Sequence, residues 1–147
     1  MLAHEKLIAY QKAISFAAWC GQVLESIPSK ISAKDQLDRA STSVPLNLAE
    51  GNAKFSTKDK SRYIQTAYGS ALECSACLDV LEARSLITPD LSAEGKQQIE
   101  SIAYLIMGLL NHLGYRFNEE QAPYNEGPSL VEKEKGEEKE REIKYPG

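Results

Sequence analysis

The feature that most constrains the fold is a line of polar side chains within a helical segment at residues 33–50. The line advances by three or four residues at each step, which places its members on one face of an α-helix. Its members are Gln36, Arg39, Ser43, Asn47 and Glu50. Serine and asparagine compete for backbone hydrogen bonds and are poor choices for a solvated helix face. This line, the polar stripe, therefore predicts contact with protein or with a ligand.

Apolar residues recur with helical periodicity in four segments, and no segment shows the alternation that is typical of a strand. The predicted helices span residues 3–27, 33–50, 57–86 and 93–117. The residues placed to cap or end them are Ser32, Ser56, Ser92 and Gly51. The predicted core face of the first helix follows Leu7, Tyr10, Ile14, Ala17, Gly21 and Leu24, and that of the fourth follows Ile99, Ile102, Ile106, Leu109 and Leu113. The predicted fold class is all-α, an antiparallel up-down four-helix bundle.

Two residues inside the predicted helices oppose helix formation. Pro45 removes a backbone hydrogen bond and predicts a kink in the second helix. Two shorter helices with a break near Ser43 are the alternative, but the apolar face and the polar stripe keep their phase across the proline, which favours the kink. Gly69 costs up to about 1 kcal/mol relative to alanine in a helix interior, and this predicts a close helix crossing.

The end of the chain differs in composition from the rest. Residues 119–147 contain 9 acidic and 5 basic residues, whereas residues 1–118 contain 12 of each. A segment so rich in charge cannot bury a core. We therefore predict one bundle domain over residues 1–118 and a charged tail over residues 119–147 that is disordered or forms a lone, frayed helix. The neutral body argues against a strong general affinity for nucleic acid, which depends on neutralising phosphates.

The chain has neither an apolar run long enough for a membrane helix nor a secretory signal pattern. Its 3 cysteines fit a reducing compartment better than a disulfide framework. We therefore expect a cytoplasmic protein that contacts no membrane. Cys74 and Cys77 form a C-x-x-C in mid-helix, away from the helix start at which redox motifs operate. We interpret them as core residues.

Glu50 and Glu73 are the one pair of carboxylates that could serve in acid–base catalysis or bind a metal. A di-iron bundle requires a histidine three residues after a glutamate, and neither His4 nor His112 has that spacing. The chain also lacks a phosphate-binding glycine loop. We therefore expect no enzymatic activity, no cofactor, no metal and no small-molecule substrate.

Positive charge and aromatic rings are mixed where the second helix passes into the third. Cations there can contact phosphates, and the rings of Phe55 and Tyr63 can stack on bases. The candidate nucleic-acid contacts are Lys54, Lys58, Lys60 and Arg62. The same residues also suit an ordinary solvated helix start, so both interpretations stay open.

Several short motifs resemble the signature of the 23S rRNA intervening-sequence protein family. They are Gln36-Leu37, Arg39-Ala40, Ser43, Asn47, Ala49-Glu50-Gly51, Gly69-Ser70 and Glu73, within a resemblance over about residues 5–117. The resemblance implies an up-down four-helix bundle that assembles as a ring-like homopentamer and has no enzymatic activity. A distant similarity to the accessory variability determinant of diversity-generating retroelements implies binding to a reverse transcriptase and to nucleic acid.

The signature residues define a predicted polar network, whose members are Gln36, Arg39, Ser43, Asn47, Glu50, Ser70 and Glu73. It is either a surface that binds a ligand or a packing or interface network in which Arg39 pairs with Glu50 or Glu73. We favour the second, because buried charges need partners, and it predicts a loss of roughly 3–5 kcal/mol when Arg39 or Glu73 becomes alanine. The predicted function is a homo-oligomeric assembly or adaptor protein. The alternative is an RNA- or DNA-binding accessory module that works with a reverse transcriptase or ribosomal RNA.

Overall fold

The computed structural model describes residues 1–28 and 30–114. These residues form four α-helices and one short 3₁₀-helix, with no strand among them, as the predicted all-α class requires. The α-helices are α1 (Ile8–Ser26), α2 (Ser32–Ala53), α3 (Thr57–Ala83) and α4 (Pro89–His112), and the 3₁₀-helix spans Ala3–Lys6. The predicted domain boundary at residue 118 and the predicted tail over residues 119–147 lie outside the described residues.

Each α-helix packs against its neighbour in sequence, and α1 also packs against α4. Among the described helices, the pairs α1 with α3 and α2 with α4 bring no Cα atoms within 8 Å of each other. The four helices therefore contact one another in a cycle, α1 to α2 to α3 to α4 and back to α1. The antiparallel up-down arrangement expected from the sequence stays a prediction.

One face of every α-helix contributes to a single apolar core. The largest side chains that are almost fully buried include Phe16, Leu37, Leu48, Leu78, Ile102 and Ile106. Burying a side chain of this size contributes about 1.5–3 kcal/mol relative to leaving it in water. The predicted core face of α1 is wrong: the helix buries Ala13 and Cys20, and Ile14 is 45% exposed.

Serine caps were predicted for three helices, and the structure confirms the one before α3. Ser56 Oγ accepts a hydrogen bond from the backbone N–H of Asp59 at 3.1 Å. The prediction for α2 is wrong, because Ser32 is already the first helical residue and Ile31 precedes it without a side-chain acceptor. The first turn of α2 thus lacks a side-chain cap.

The start of α4 also differs from the prediction. Thr88 caps the helix by accepting a hydrogen bond from the backbone N–H of Leu91 at 3.2 Å, so Ser92 is not the cap. Pro89, which precedes the predicted start of the fourth helix at residue 93, takes the first helical position. A proline is well suited there, because that residue has no intrahelical partner for an N–H and the ring fixes a helical φ.

Three residues that could interrupt a helix each lie inside one. α2 runs unbroken through Pro45, so a break near Ser43 is wrong, while the kink itself stays a prediction. Gly51 lies inside α2, and a Cβ there would come within 2.9 Å of Tyr63 Cβ. It therefore permits close packing of α3 and does not end the helix. A Cβ on Gly69 would meet no described atom within 4 Å, so none of the four α-helices makes the predicted close crossing at Gly69.

The three cysteines are free thiols in the core, as interpreted from the sequence. Burial raises the pKa of Cys20 from 9.0 to about 12, and it also raises the pKa values of Cys74 and Cys77. The thiolate, and not the neutral thiol, is the form that attacks a thiol reagent. We therefore expect the folded protein to react with a thiol reagent at pH 8 far more slowly than the protein unfolded in urea. Equal rates in the two states would contradict this burial.

The raised pKa of Cys20 also predicts a dependence of stability on pH. Folding favours the neutral thiol, so its contribution is complete below pH 9.0 and is lost as the pH rises from there towards about 12. Melting temperatures measured across this range should fall less in Cys20→Ala than in the wild type. An identical fall in both proteins would show that the Cys20 thiol is not involved.

Candidate interaction surface along α2 and α3

The middle of the polar stripe is a hydrogen-bonded contact between α2 and α3. Ser43 Oγ and Ser70 Oγ are 2.8 Å apart. Asn47 Nδ2 donates to Ser43 Oγ and to the Ser43 carbonyl oxygen, each at 2.9 Å. Ser70 is buried, and Ser43 and Asn47 are half-buried. Paired polar groups of this kind favour one register between two packed helices.

The two ends of the predicted network lie at the surface of the chain. The exposed members are Gln36, Arg39, Glu50 and Glu73. The one ion pair within residues 1–28 and 30–114 joins Lys96 to Asp79. The predicted pairing of Arg39 with Glu50 or Glu73 therefore does not occur within a chain, since exposed charges need no partner to offset desolvation. Replacing Arg39 or Glu73 with alanine should consequently cost the single chain far less than the 3–5 kcal/mol expected for a buried pair.

Apolar and small residues are exposed on the same two helices. Leu46 on α2 is 61% exposed and Val80 on α3 is 39% exposed. Gly69 and Ala76 share one face of α3 with Val80, because the three lie seven and four residues apart. The exposed residues considered together as the α2–α3 face are Arg39, Leu46, Glu50, Gly69, Glu73, Ala76 and Val80.

The candidate nucleic-acid contacts divide into two groups. Lys54 Nζ lies 4.8 Å from the centre of the Tyr63 ring, and Lys60 Nζ donates to the Asn52 carbonyl oxygen at 3.0 Å. Lys58 and Arg62 are exposed. Because they lie four residues apart on α3, their side chains are neighbours on one face of the helix. Two of the four cations therefore make contacts within the chain, and the other two are exposed to solvent.

Two further features of this region depend on the folded structure. Phe55, in the turn between α2 and α3, is fully exposed. A groove of about 440 Å³ lies beside Arg62, and its lining residues are Asn47, Arg62, Tyr63, Gln65 and Thr66. Sequence periodicity cannot predict such a groove, because its walls come from two helices whose separation is set partly by the contact of Gly51 with Tyr63.

Glu50 and Glu73 are exposed carboxylates with no polar partner among the described residues. Within the part of the chain that the structure covers, no group of three or more His, Cys, Asp or Glu residues could hold a metal ion. Nor do the described residues include a helix long and apolar enough to cross a membrane.

Comparison with known proteins bears on the fold and on the family. A solved structure from Bacteroides thetaiotaomicron VPI-5482, a protein with unknown function from the S23 ribosomal protein family, is similar with a TM-score of 0.67 and 19% identity. The similarity covers 70% of this chain and 98% of that chain, and at this identity it supports the fold alone. No curated protein matches the chain. Residues 5–108 match the model of the 23S rRNA-intervening sequence protein family, and the chain belongs to that family.

Proposed function

We propose that the protein is a non-enzymatic assembly protein that works as a homo-oligomer, with the α2–α3 face as the contact between copies. One observation carries the proposal: charged residues of both signs and apolar residues are exposed together on this face of a single chain. Interfaces between proteins contain both apolar and polar side chains. We propose further that the helices form an antiparallel up-down bundle and that five copies assemble into a ring, as the family resemblance implies.

The charges on the face favour contact between different helices of two copies. Arg39 lies on α2 and Glu73 lies on α3, and both are exposed. If α2 of one copy meets α3 of the next, these two side chains have complementary charges. Such a head-to-tail contact uses different surfaces on the two copies, and it generates a ring when the rotation closes. We therefore propose an ion pair between Arg39 of one copy and Glu73 of the next.

Gly69 supports the same arrangement. A glycine in a helix interior costs up to about 1 kcal/mol relative to alanine. Among the described residues no close packing offsets this cost, since a Cβ at Gly69 would meet no atom of them within 4 Å. A helix of a second copy that packs closely against α3 at this point would account for the missing side chain. In the proposed assembly that helix is α2 of the next copy.

Leu46→Asp tests the proposal by placing a charge in the contact. Leu46 is 61% exposed, so the substitution should leave the fold intact while disrupting assembly. We expect the wild type to sediment as an oligomer and Leu46→Asp to sediment as a single 16.3 kDa chain. Tyr104→Asp is the matched control, because Tyr104 is 80% exposed but lies on α4. A wild type that sediments as one chain, or dissociation of both variants, would overturn the proposal.

A further inference from the structure

We propose that the turn between α2 and α3 binds single-stranded nucleic acid, stacking a base on Phe55 and holding the adjoining phosphates with Lys58 and Arg62. This activity would be separate from self-assembly and would use other residues. Residues 54–62 contain four basic residues and one acidic residue, a local charge of +3 in a chain with a net charge of −4. Positive charge is thus concentrated at this turn, where it can attract a polyanion locally.

Phe55 provides the stacking platform. No other large apolar side chain in the described part of the chain is as exposed, and Phe55 lies between the end of α2 and the start of α3. Its ring makes no contribution to the core. An exposed aromatic ring stacks on any base, since every base has a π face. A duplex keeps its base faces covered, so this platform selects for single strands.

The two exposed cations are placed to hold phosphates next to that base. Lys58 and Arg62 are neighbours on one face of α3, one helical turn apart. Within the described residues, neither the Lys58 ammonium group nor the Arg62 guanidinium group makes an ion pair or a hydrogen bond. Lys54 adds charge while its ammonium group lies over the Tyr63 ring. Lys60 instead bonds to the end of α2 through the Asn52 carbonyl oxygen, so we exclude it from the contact.

The groove beside Arg62 extends the site towards the middle of α2. Its lining residues carry a guanidinium group, amides and hydroxyl groups, which suit the edge of a base. Asn47 Nδ2 is committed to two hydrogen bonds with Ser43, which fixes the amide and leaves its Oδ1 as an acceptor. A base amino group could donate to that oxygen. We therefore place the strand from Phe55, past Lys58 and Arg62, into the groove.

Fluorescence anisotropy with labelled oligonucleotides of about 12 nucleotides tests this proposal. The probes are a single-stranded RNA, a DNA of the same sequence and the corresponding DNA duplex, at about 50 mM salt and above. We expect the wild type to bind single strands more tightly than the duplex. Phe55→Ala should weaken binding roughly 5- to 150-fold without changing its salt dependence. Lys58→Gln and Arg62→Gln should each lower the slope of log K against log salt by about 0.7.

Two control variants separate this site from general surface effects. Tyr104→Ala removes an exposed ring from α4, and Arg84→Gln removes an exposed cation just beyond the other end of α3. Both should bind single strands like the wild type. The proposal is wrong if the wild type binds no single strand at low salt, if it prefers the duplex, or if Phe55→Ala binds as tightly as Tyr104→Ala.

The RNA and DNA probes identify which nucleic acid the site prefers. Tighter binding of RNA would indicate contacts to the 2′-hydroxyl group, and equal binding would indicate recognition of bases and phosphates alone; either result supports the proposal. Sedimentation of Phe55→Ala should match that of the wild type, so weaker binding would not reflect lost avidity. Failure of the binding test with an intact oligomer would leave the assembly function standing.

Discussion

Gly95→Ala should lower the free energy of unfolding by about 1–3 kcal/mol, although alanine ordinarily stabilises a helix relative to glycine. A Cβ at Gly95 would lie 2.5 Å and 2.8 Å from two ring atoms of Trp19, and 2.6 Å from Leu78 Cδ1. All three separations are shorter than a carbon–carbon contact allows. Because Trp19 belongs to α1 and Leu78 to α3, relieving the overlap requires side chains on two neighbouring helices to move.

The surroundings of Trp19 limit how far its ring can withdraw. The indole stacks on Phe16, with ring centres 5.8 Å apart and an interplanar angle of 18°. Its Nε1–H also donates to Glu94 Oε1 at 3.1 Å. The ring is thus held on one side by an aromatic neighbour and on the other by α4. Moving it would sacrifice at least one of these contacts.

Urea unfolding provides the measurement for Gly95→Ala. The midpoint should fall while the slope of free energy against urea concentration stays constant, as expected for a change confined to the folded state. Gly21→Ala is the matched control, because Gly21 lies in α1 and a Cβ there would meet nothing within 4 Å. It should leave the stability unchanged or raise it by up to about 1 kcal/mol. A midpoint for Gly95→Ala at or above that of the wild type would refute the tight contact.

Helical periodicity predicted the number of helices and the core face of α4, but not the core face of α1. Ile99, Ile102 and Ile106 are buried as expected. Residues 102–110 of α4 are almost all apolar, and there the helix buries Leu110 more fully than the expected Leu109. α1 is apolar around much of its circumference. More than one core face is therefore compatible with its sequence. The small residues Ala9 and Ala13 enter the core in place of larger ones.

The candidate surface was predictable only in part. Spacing places the stripe residues on one side of α2, and this is sufficient to bring Ser43 and Asn47 into a polar network with Ser70. The spacing of residues in the sequence does not determine how much of that side of α2 is covered by α3. Arg39 consequently stays in water although it belongs to the same stripe. The exposure of Phe55 likewise depends on the path of the turn between the two helices, which no periodic pattern encodes.

Reversing the charge at Arg39 or at Glu73 should dissociate the oligomer, and reversing both charges should restore its assembly. In the proposed assembly Arg39→Glu would place two carboxylates opposite each other, and Glu73→Arg would place two guanidinium groups together. Losing a close charge pair across an interface costs about 2–5 kcal/mol. This corresponds to a Kd about 30- to 4000-fold weaker. The double variant Arg39→Glu/Glu73→Arg restores opposite charges at the contact in exchanged positions.

These substitutions should not unfold the chain. Arg39 and Glu73 are exposed in a single copy. Each substitution should therefore change the free energy of unfolding of an isolated chain by no more than about 0.5 kcal/mol. Measurement of this free energy by urea unfolding would distinguish loss of assembly from unfolding of the chain. Circular dichroism of the same samples should show an unchanged helix content.

Sedimentation velocity of the wild type, the two single variants and the double variant, at one protein concentration and low salt, tests the shared α2–α3 face most directly. We predict an oligomer for the wild type, a marked shift towards single chains for Arg39→Glu and for Glu73→Arg, and recovery of the wild-type sedimentation coefficient in the double variant. Single variants that sediment like the wild type, or a double variant that stays dissociated, would contradict the pairing of these residues between copies.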